Sequence, residues 1–97
     1  MAVMYNSPHP GRIIREWMGD DITVGELASH LGIARVTLSN ILNGKAGVTA
    51  AMAVKLSQAF PPTEAQLWLG LQSDYELSKE LRESKRRKPI APVRKAA

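Results

Sequence analysis

The chain has 97 residues and no cysteine, which suits one small domain and rules out disulfides and thiolate metal sites. Its net charge of +4 is uneven: residues 84–97 hold six basic and no acidic residues, whereas residues 1–83 hold seven basic and nine acidic ones. The basic excess therefore belongs to the C-terminal segment and is weak evidence that the folded part binds nucleic acid. We see neither a signal peptide nor an apolar membrane span, so we expect a cytoplasmic protein.

Apolar residues recur at helical spacing and predict an all-α fold of five helices. The first helix is expected over about residues 11–18, with Trp17 on its inward face. Thr23 and Glu26 have the spacing of a capping box and open a second helix over residues 24–31. Gly32 then suits the left-handed position that ends a helix.

The third helix is predicted over residues 35–42 and the fourth from a Thr49 cap to Phe60. Because two prolines follow Phe60, the fourth helix must end there. Residues 63–66 resemble a second capping box, which would open a long fifth helix reaching about residue 86. The organisation expected is an N-terminal arm (1–9), a folded domain (10–86) and a basic disordered tail (87–97).

The segment from about Thr23 to Gly44 fits a helix-turn-helix, in which two short helices cross steeply. A small residue is needed where the helices meet, and a glycine where the turn takes a positive φ. Apolar side chains must also anchor both helices to the rest of the domain. Seven positions meet these needs together: Leu27, Ala28, Leu31, Gly32, Ile33, Leu38 and Ile41.

In a helix-turn-helix the second helix lies in the major groove of DNA, and the first crosses the phosphate backbone. The predicted base-reading residues are Arg35, Val36, Ser39 and Asn40, because they lie on the outer face once the inward leucine and isoleucine are set aside. Arginine suits guanine, asparagine suits adenine, and valine suits a thymine methyl group. Predicted backbone contacts are Thr37, Asn43 and Lys45, and Thr23 is a further predicted DNA-binding residue. A merely solvated helix face is the alternative for each polar residue.

We find no histidine and carboxylate cluster with metal-ligand spacing, and no paired groups suited to acid–base chemistry. His9 is expected to shape the first turn, and His30 to be solvated. Trp17 and Trp68 lie on apolar stripes and are predicted to be core residues. The sequence therefore predicts no catalytic residue, no metal and no cofactor, and we do not expect an enzyme.

The chain resembles the phage-repressor, or Xre-type, helix-turn-helix proteins, and among them the HigA-type antitoxins of bacterial toxin–antitoxin modules. The resemblance covers about residues 9–80 and is carried by His9-Pro10-Gly11, by the segment from Glu26 to Phe60, and by Trp68, Leu71 and Tyr75. One departure is Ala34, which stands where such repressors usually have a serine or threonine cap.

The resemblance implies a five-helix phage-repressor-like bundle that forms a homodimer on a palindromic operator and represses its own operon. It also implies a partner, a small basic HigB-type toxin related to RelE that cleaves mRNA, and a place on the bacterial nucleoid when the operator is bound. The fifth helix has more apolar surface than the core needs, including Leu69, Leu77 and Leu81, so it is our expected dimer interface; closing the core is the alternative. Two other functions stay open: a stand-alone regulator without a toxin, and a protein-interaction module that no longer binds DNA.

Overall fold

The computed structural model describes residues 6–94, and all regular structure in this range is helical. The helices are α1 (Pro10–Met18), α2 (Val24–Leu31), α3 (Arg35–Leu42), α4 (Ala50–Ala59) and α5 (Ala65–Ser84), close to the predicted bounds. No helix in the described range is both long and apolar enough to cross a membrane. Residues 1–5 of the predicted arm and residues 95–97 of the predicted tail, with Lys95, lie outside the described residues.

The ends of α2 form as the sequence predicts, because local hydrogen bonds define them. The Thr23 hydroxyl accepts from the Glu26 amide at 3.1 Å, and the Thr23 amide donates to the Glu26 carboxylate at 3.3 Å, which completes the capping box. At the other end Gly32 takes φ +72°. The Ile33 amide donates to the Ala28 carbonyl at 3.0 Å and the Gly32 amide to Ser29 at 3.1 Å, the two bonds of a Schellman motif.

The C-terminus of α3 repeats this arrangement at Gly44, which has φ +74°. The Lys45 amide donates to the Asn40 carbonyl at 2.8 Å, and the Gly44 amide donates to Ile41 at 3.1 Å. The Asn43-Gly44 pair therefore ends a helix, as predicted from the helical periodicity on either side of it.

One apolar core joins the five helices. α1 contacts α3 and α5, α2 contacts α3 and α4, and α4 packs along α5. Six of the seven predicted helix-turn-helix positions are consistent with this core: Leu27, Ala28, Leu31, Leu38 and Ile41 are buried, and Ile33 is half-buried. The remaining members of the core come from the end of α3, from the loop before α4 and from α1, α4 and α5: Ile14, Met18, Leu42, Val48, Met52, Ala53, Leu56 and Trp68.

The main chains of α1 and α3 approach each other closely at Gly11. A methyl group on Gly11 would collide with the Ile41 carbonyl group and would stand 2.9 Å from Leu42 Cα. Ala28 is buried, as expected of a small residue inside the motif, but Gly11 is where no side chain at all can fit. The sequence analysis did not identify this contact, because it depends on where α3 lies relative to α1.

Two predictions about aromatic and capping residues are wrong. Trp17 is 46% exposed, although its ring makes T-shaped contacts with Phe60 and Trp68 at ring-centroid distances of 5.5 and 6.1 Å. Thr63 does not cap α5: its hydroxyl donates to the Phe60 carbonyl and accepts from Trp68 Nε1 at 3.0 Å. Glu64 is the N-cap residue instead, and its side chain makes no capping bond. The fully buried indole of Trp68 thus takes the hydroxyl that a capping box would have used.

Gln72 ties α5 to the loop before α4. Its side-chain oxygen accepts from the buried Val48 amide at 2.8 Å, and its nitrogen donates to Glu76 at 3.0 Å. Gly47 leaves the room for this, since a methyl group there would approach the Gln72 amide to 2.8 Å. The bond fixes the chain between α3 and α4, and so helps to position the turn that follows α3.

Candidate nucleic-acid interface

The outer face of α3 is exposed to solvent, and most of its side chains bond to no other part of the protein that the structure describes. Arg35, Val36, Thr37 and Asn40 are exposed, and Val36 keeps 66% of its surface accessible. Within residues 6–94 the side chains of Arg35, Thr37 and Asn40 make no hydrogen bond or ion pair. Buried Leu38 and Ile41 hold the opposite face of the helix in the core. A short rigid helix therefore presents a guanidinium, a carboxamide and a hydroxyl to solvent.

Ser39 and Asn43 are joined in a network that also includes Arg15 of α1. Arg15 Nη2 donates to Asn43 Oδ1 at 2.7 Å, and Asn43 Nδ2 donates to Ser39 Oγ at 3.4 Å. Arg15 Nε also donates to the Leu42 carbonyl at 3.4 Å, which places a cation at the C-terminus of α3, where the helix dipole favours it. Ser39 is half-buried, and its hydroxyl proton remains available to an outside acceptor.

Arg15 is a functional candidate that the sequence analysis missed. Its position in α1 is unremarkable in the sequence, and only the packing of α1 against α3 brings it to Asn43. Together with Arg35 and exposed Lys45, it gives the α3 surface three cations and no carboxylate of its own.

The N-terminus of α3 has no side-chain cap, as expected for Ala34. The first helical bond is made by the Leu38 amide to the Ala34 carbonyl, so the amides of residues 35–37 have no partner within the helix. This end carries the positive pole of the helix dipole and lies beside Arg35. Its local electrostatics favour an anionic ligand.

Thr23 lies apart from these residues, at the N-cap of α2. Its hydroxyl oxygen accepts from the backbone amide of Glu26, so the hydroxyl proton can still be donated to another group. Asp20, Asp21 and Glu26 are close to it in the chain and exposed, and their charges would weaken a phosphate contact. We therefore expect Thr23 to contribute less than the α3 residues.

His9 lies between the start of α1 and the turn after α3 and contacts both. Its Nδ1 accepts from the Gly11 amide at 2.9 Å. Its ring makes a T-shaped contact with the ring of Tyr75, with the two ring centroids 4.7 Å apart. Desolvation by burial lowers the pKa of His9 from 6.5, although a hydrogen bond to the backbone of Ala46 and the charge of Glu76 oppose the shift. The neutral imidazole can accept at Nδ1 while Nε2 donates, so the first turn depends on His9 as predicted.

Comparison with known proteins gives consistent results. The helix-turn-helix family model matches residues 12–67. Virulence-associated protein A′ of Dichelobacter nodosus is 46% identical over 76 residues, which cover 77% of this chain and 66% of that protein, so the chain spans about two thirds of its length.

Solved structures show the same fold over nearly their whole length. An addiction module antidote protein of the HigA family from Coxiella burnetii superposes with a TM-score of 0.82 and 34% identity, over 91% of this chain and 99% of that one. The Pseudomonas aeruginosa antitoxin HigA, in a structure with the higBA promoter, gives a TM-score of 0.80 and 33% identity over the same shares of the two chains. The chain therefore belongs to the Xre-like helix-turn-helix family, with an all-α phage-repressor-like bundle whose structural neighbours are HigA-family antitoxins.

Proposed function

We propose that this protein is a sequence-specific DNA-binding antitoxin that represses its own operon and neutralises a HigB-like, mRNA-cleaving toxin. The observation that carries the DNA-binding part is the uncommitted polar face of α3, which is held rigidly by the core and flanked by cations. The likeness to a HigA antitoxin whose structure includes promoter DNA supports the same reading.

In the proposed complex α3 lies in the major groove. Arg35 donates to the two acceptors of a guanine, Asn40 pairs with an adenine, and Val36 contacts a thymine methyl group. Ser39 serves a base or a phosphate. Thr23, Thr37, Asn43 and Lys45 contact the backbone, and Arg15 holds Asn43 in place for it.

The proposed homodimer forms through α5. Leu67, Gly70, Asp74, Leu77 and Leu81 follow the alternating spacing of three and four residues that makes one seam along a helix. Leu69, which we also expected in the interface from the sequence, is 38% exposed but does not follow this spacing. Leu67 and Leu77 remain 48% and 45% exposed in the single chain, so the core leaves apolar side chains uncovered along this seam. Pairing these seams would cover them and present two α3 helices to successive half-sites about 34 Å apart.

The DNA-binding part is tested with the double variant Arg35→Ala/Asn40→Ala on a duplex from the chain's own promoter region. Losing two base contacts is expected to cost about 2–6 kcal/mol, because each bidentate pair contributes about 1–3 kcal/mol. Kd should therefore rise at least about thirtyfold. The control Lys79→Ala also removes one positive charge, from an exposed position on α5, and should change Kd little. Unchanged affinity of the double variant would refute the assignment of α3 and favour a protein-interaction module.

The antitoxin part is tested by co-expression with the short reading frame next to this gene. Co-purification of the two proteins and relief of growth arrest are expected. If operator binding is normal but there is neither a complex nor relief, the protein is a stand-alone Xre-type regulator.

A further inference from the structure

A groove between α2 and α4 is not used by the proposed DNA contacts. It has a volume of about 300 Å³ and is lined by Ile22, Glu26, Leu27, His30, Ala59 and Phe60. A second cavity of about 230 Å³ continues it past His30 and Ala59 to Lys55 and Gln58. The two cavities share His30 and Ala59 and are therefore neighbours, and we call them together the α2–α4 groove.

One end of this groove is apolar and open to solvent. Ile22 is 36% exposed, and half-buried Phe60 forms its wall. Trp17, which is 46% exposed, lies edge-on against Phe60 and extends the apolar surface beyond the groove. Three large apolar side chains from α1, the following loop and the end of α4 thus share a surface that the fold leaves uncovered.

The chain next to this apolar end is acidic. Glu26 lines the groove, Asp20 and Asp21 directly precede Ile22, and Glu16 directly precedes Trp17. All four are exposed, no lysine or arginine occurs between Arg15 and Arg35, and we call these four carboxylates the acidic rim. Across the described part of the chain none of these four carboxylates forms an ion pair, whereas Glu80 and Glu83 of α5 both pair with Arg87. Lys55 lies at the far end of the groove, where it donates to the Leu31 carbonyl at 3.3 Å. Its positive charge there offsets the negative pole of the α2 dipole.

The groove also opens away from the α3 surface. α2 packs against α3 and against α4, whereas within residues 6–94 no Cα atom of α3 lies within 8 Å of a Cα atom of α4. A ligand between α2 and α4 is therefore on the side of α2 that does not face α3. Carboxylates here would repel DNA, so this surface suits a ligand of the opposite charge.

We propose that the α2–α4 groove is the docking surface for a basic protein partner, which inserts a large apolar side chain beside Ile22 and Phe60 and sets lysine or arginine side chains on the acidic rim. The inference rests on the proposed antitoxin role, in which that partner is the basic toxin. Charge complementarity selects this occupant: Glu26 in the groove and three further carboxylates next in the chain to Trp17 and Ile22, none of them in an ion pair within the described residues, would steer a cationic protein to the apolar pocket that anchors it.

The test measures binding of the purified, catalytically inactivated product of the adjoining reading frame to the full-length chain. Glu16→Lys/Asp20→Lys reverses two rim charges that make no hydrogen bond in the described range, and Ile22→Asn removes the apolar anchor. The control Glu80→Lys/Glu83→Lys makes the same change in net charge at the C-terminal end of α5. Operator affinity and thermal melting of each variant show whether it is folded.

Each rim or anchor variant should weaken partner binding at least about tenfold, and the control less than about threefold. The complex should bind operator DNA without losing the partner. Equal loss in the rim variant and in the control would overturn the proposal, because net charge rather than the groove would then govern affinity. Displacement of the partner by the operator, or self-association of the chain that the rim variant abolishes, would also overturn it. If the wild-type chain does not bind this partner at all, the antitoxin role itself fails, which is a separate result.

Discussion

Gly11 lies where the main chains of α1 and α3 approach each other closely, and adding one methyl group there tests the packing that positions α3. In Gly11→Ala the new methyl group would collide with the Ile41 carbonyl group and stand 2.9 Å from Leu42 Cα. Both obstacles are main-chain atoms, so the clash is relieved only by moving α3 away from α1. Overpacking by one carbon typically costs about 1–3 kcal/mol, and we expect the upper part of that range.

Gly25→Ala is a closely matched control. Gly11 and Gly25 are both second residues of their helices, but a methyl group on Gly25 would meet nothing within 4 Å. This change should stabilise the protein by about 0.5–1 kcal/mol through helix propensity alone. Because 1 kcal/mol corresponds to about 4–8 °C in a domain of this size, Tm should fall by about 10–20 °C in Gly11→Ala and rise by a few degrees in Gly25→Ala.

The assay is thermal and urea unfolding followed by circular dichroism, with operator affinity measured well below both melting temperatures. Since α3 has to move, Gly11→Ala should also weaken operator binding while the protein is still folded. A Gly11→Ala protein as stable as the wild type would refute the reasoning, because α1 and α3 would then have to be farther apart than they are in this structure.

Three further predictions concern the caps and the loop that precedes α4. Ala34→Ser supplies the missing cap of α3 and should stabilise the protein by about 1 kcal/mol, measured as a higher Tm. Gln72→Ala leaves the buried Val48 amide without its acceptor and should cost about 1–3 kcal/mol in urea unfolding. The lowered pKa of His9 means that the folded state prefers the neutral ring. The stability that the protein gains from this preference is complete above pH 6.5 and is lost as the pH falls through the folded-state pKa. Melting temperatures between pH 7.5 and 5 should show this loss in the wild type and not in His9→Asn, which keeps a capping oxygen but does not titrate; an equal slope in both proteins would assign it to another group.

Local signals explain why the helix-turn-helix could be predicted from the sequence. The capping box at Thr23 and the glycines at 32 and 44 act through bonds within six residues, so their spacing alone indicates where α2 and α3 begin and end. The exposed face of α3 follows from the same periodicity, once Leu38 and Ile41 are placed inward.

Features that depend on tertiary contact could not be predicted in this way. Arg15 reaches Asn43 across 28 residues of sequence, and Gly11 is essential only because α3 passes over it. At Thr63 the local pattern predicted a cap, but the buried indole of Trp68 competes for the same hydroxyl. Helical periodicity likewise placed Trp17 on an apolar face, while burial depends on how far the neighbouring helices extend over it.

The central claim is that the outer face of α3 reads DNA, and chemical-shift mapping on isotope-labelled protein tests it most directly. Titration with a duplex from the chain's own promoter region should shift the amide signals of Arg35, Val36 and Asn40 most strongly, and a scrambled duplex of equal length should shift them much less. Shifts confined to the basic segment after α5, and equal for both duplexes, would contradict the claim.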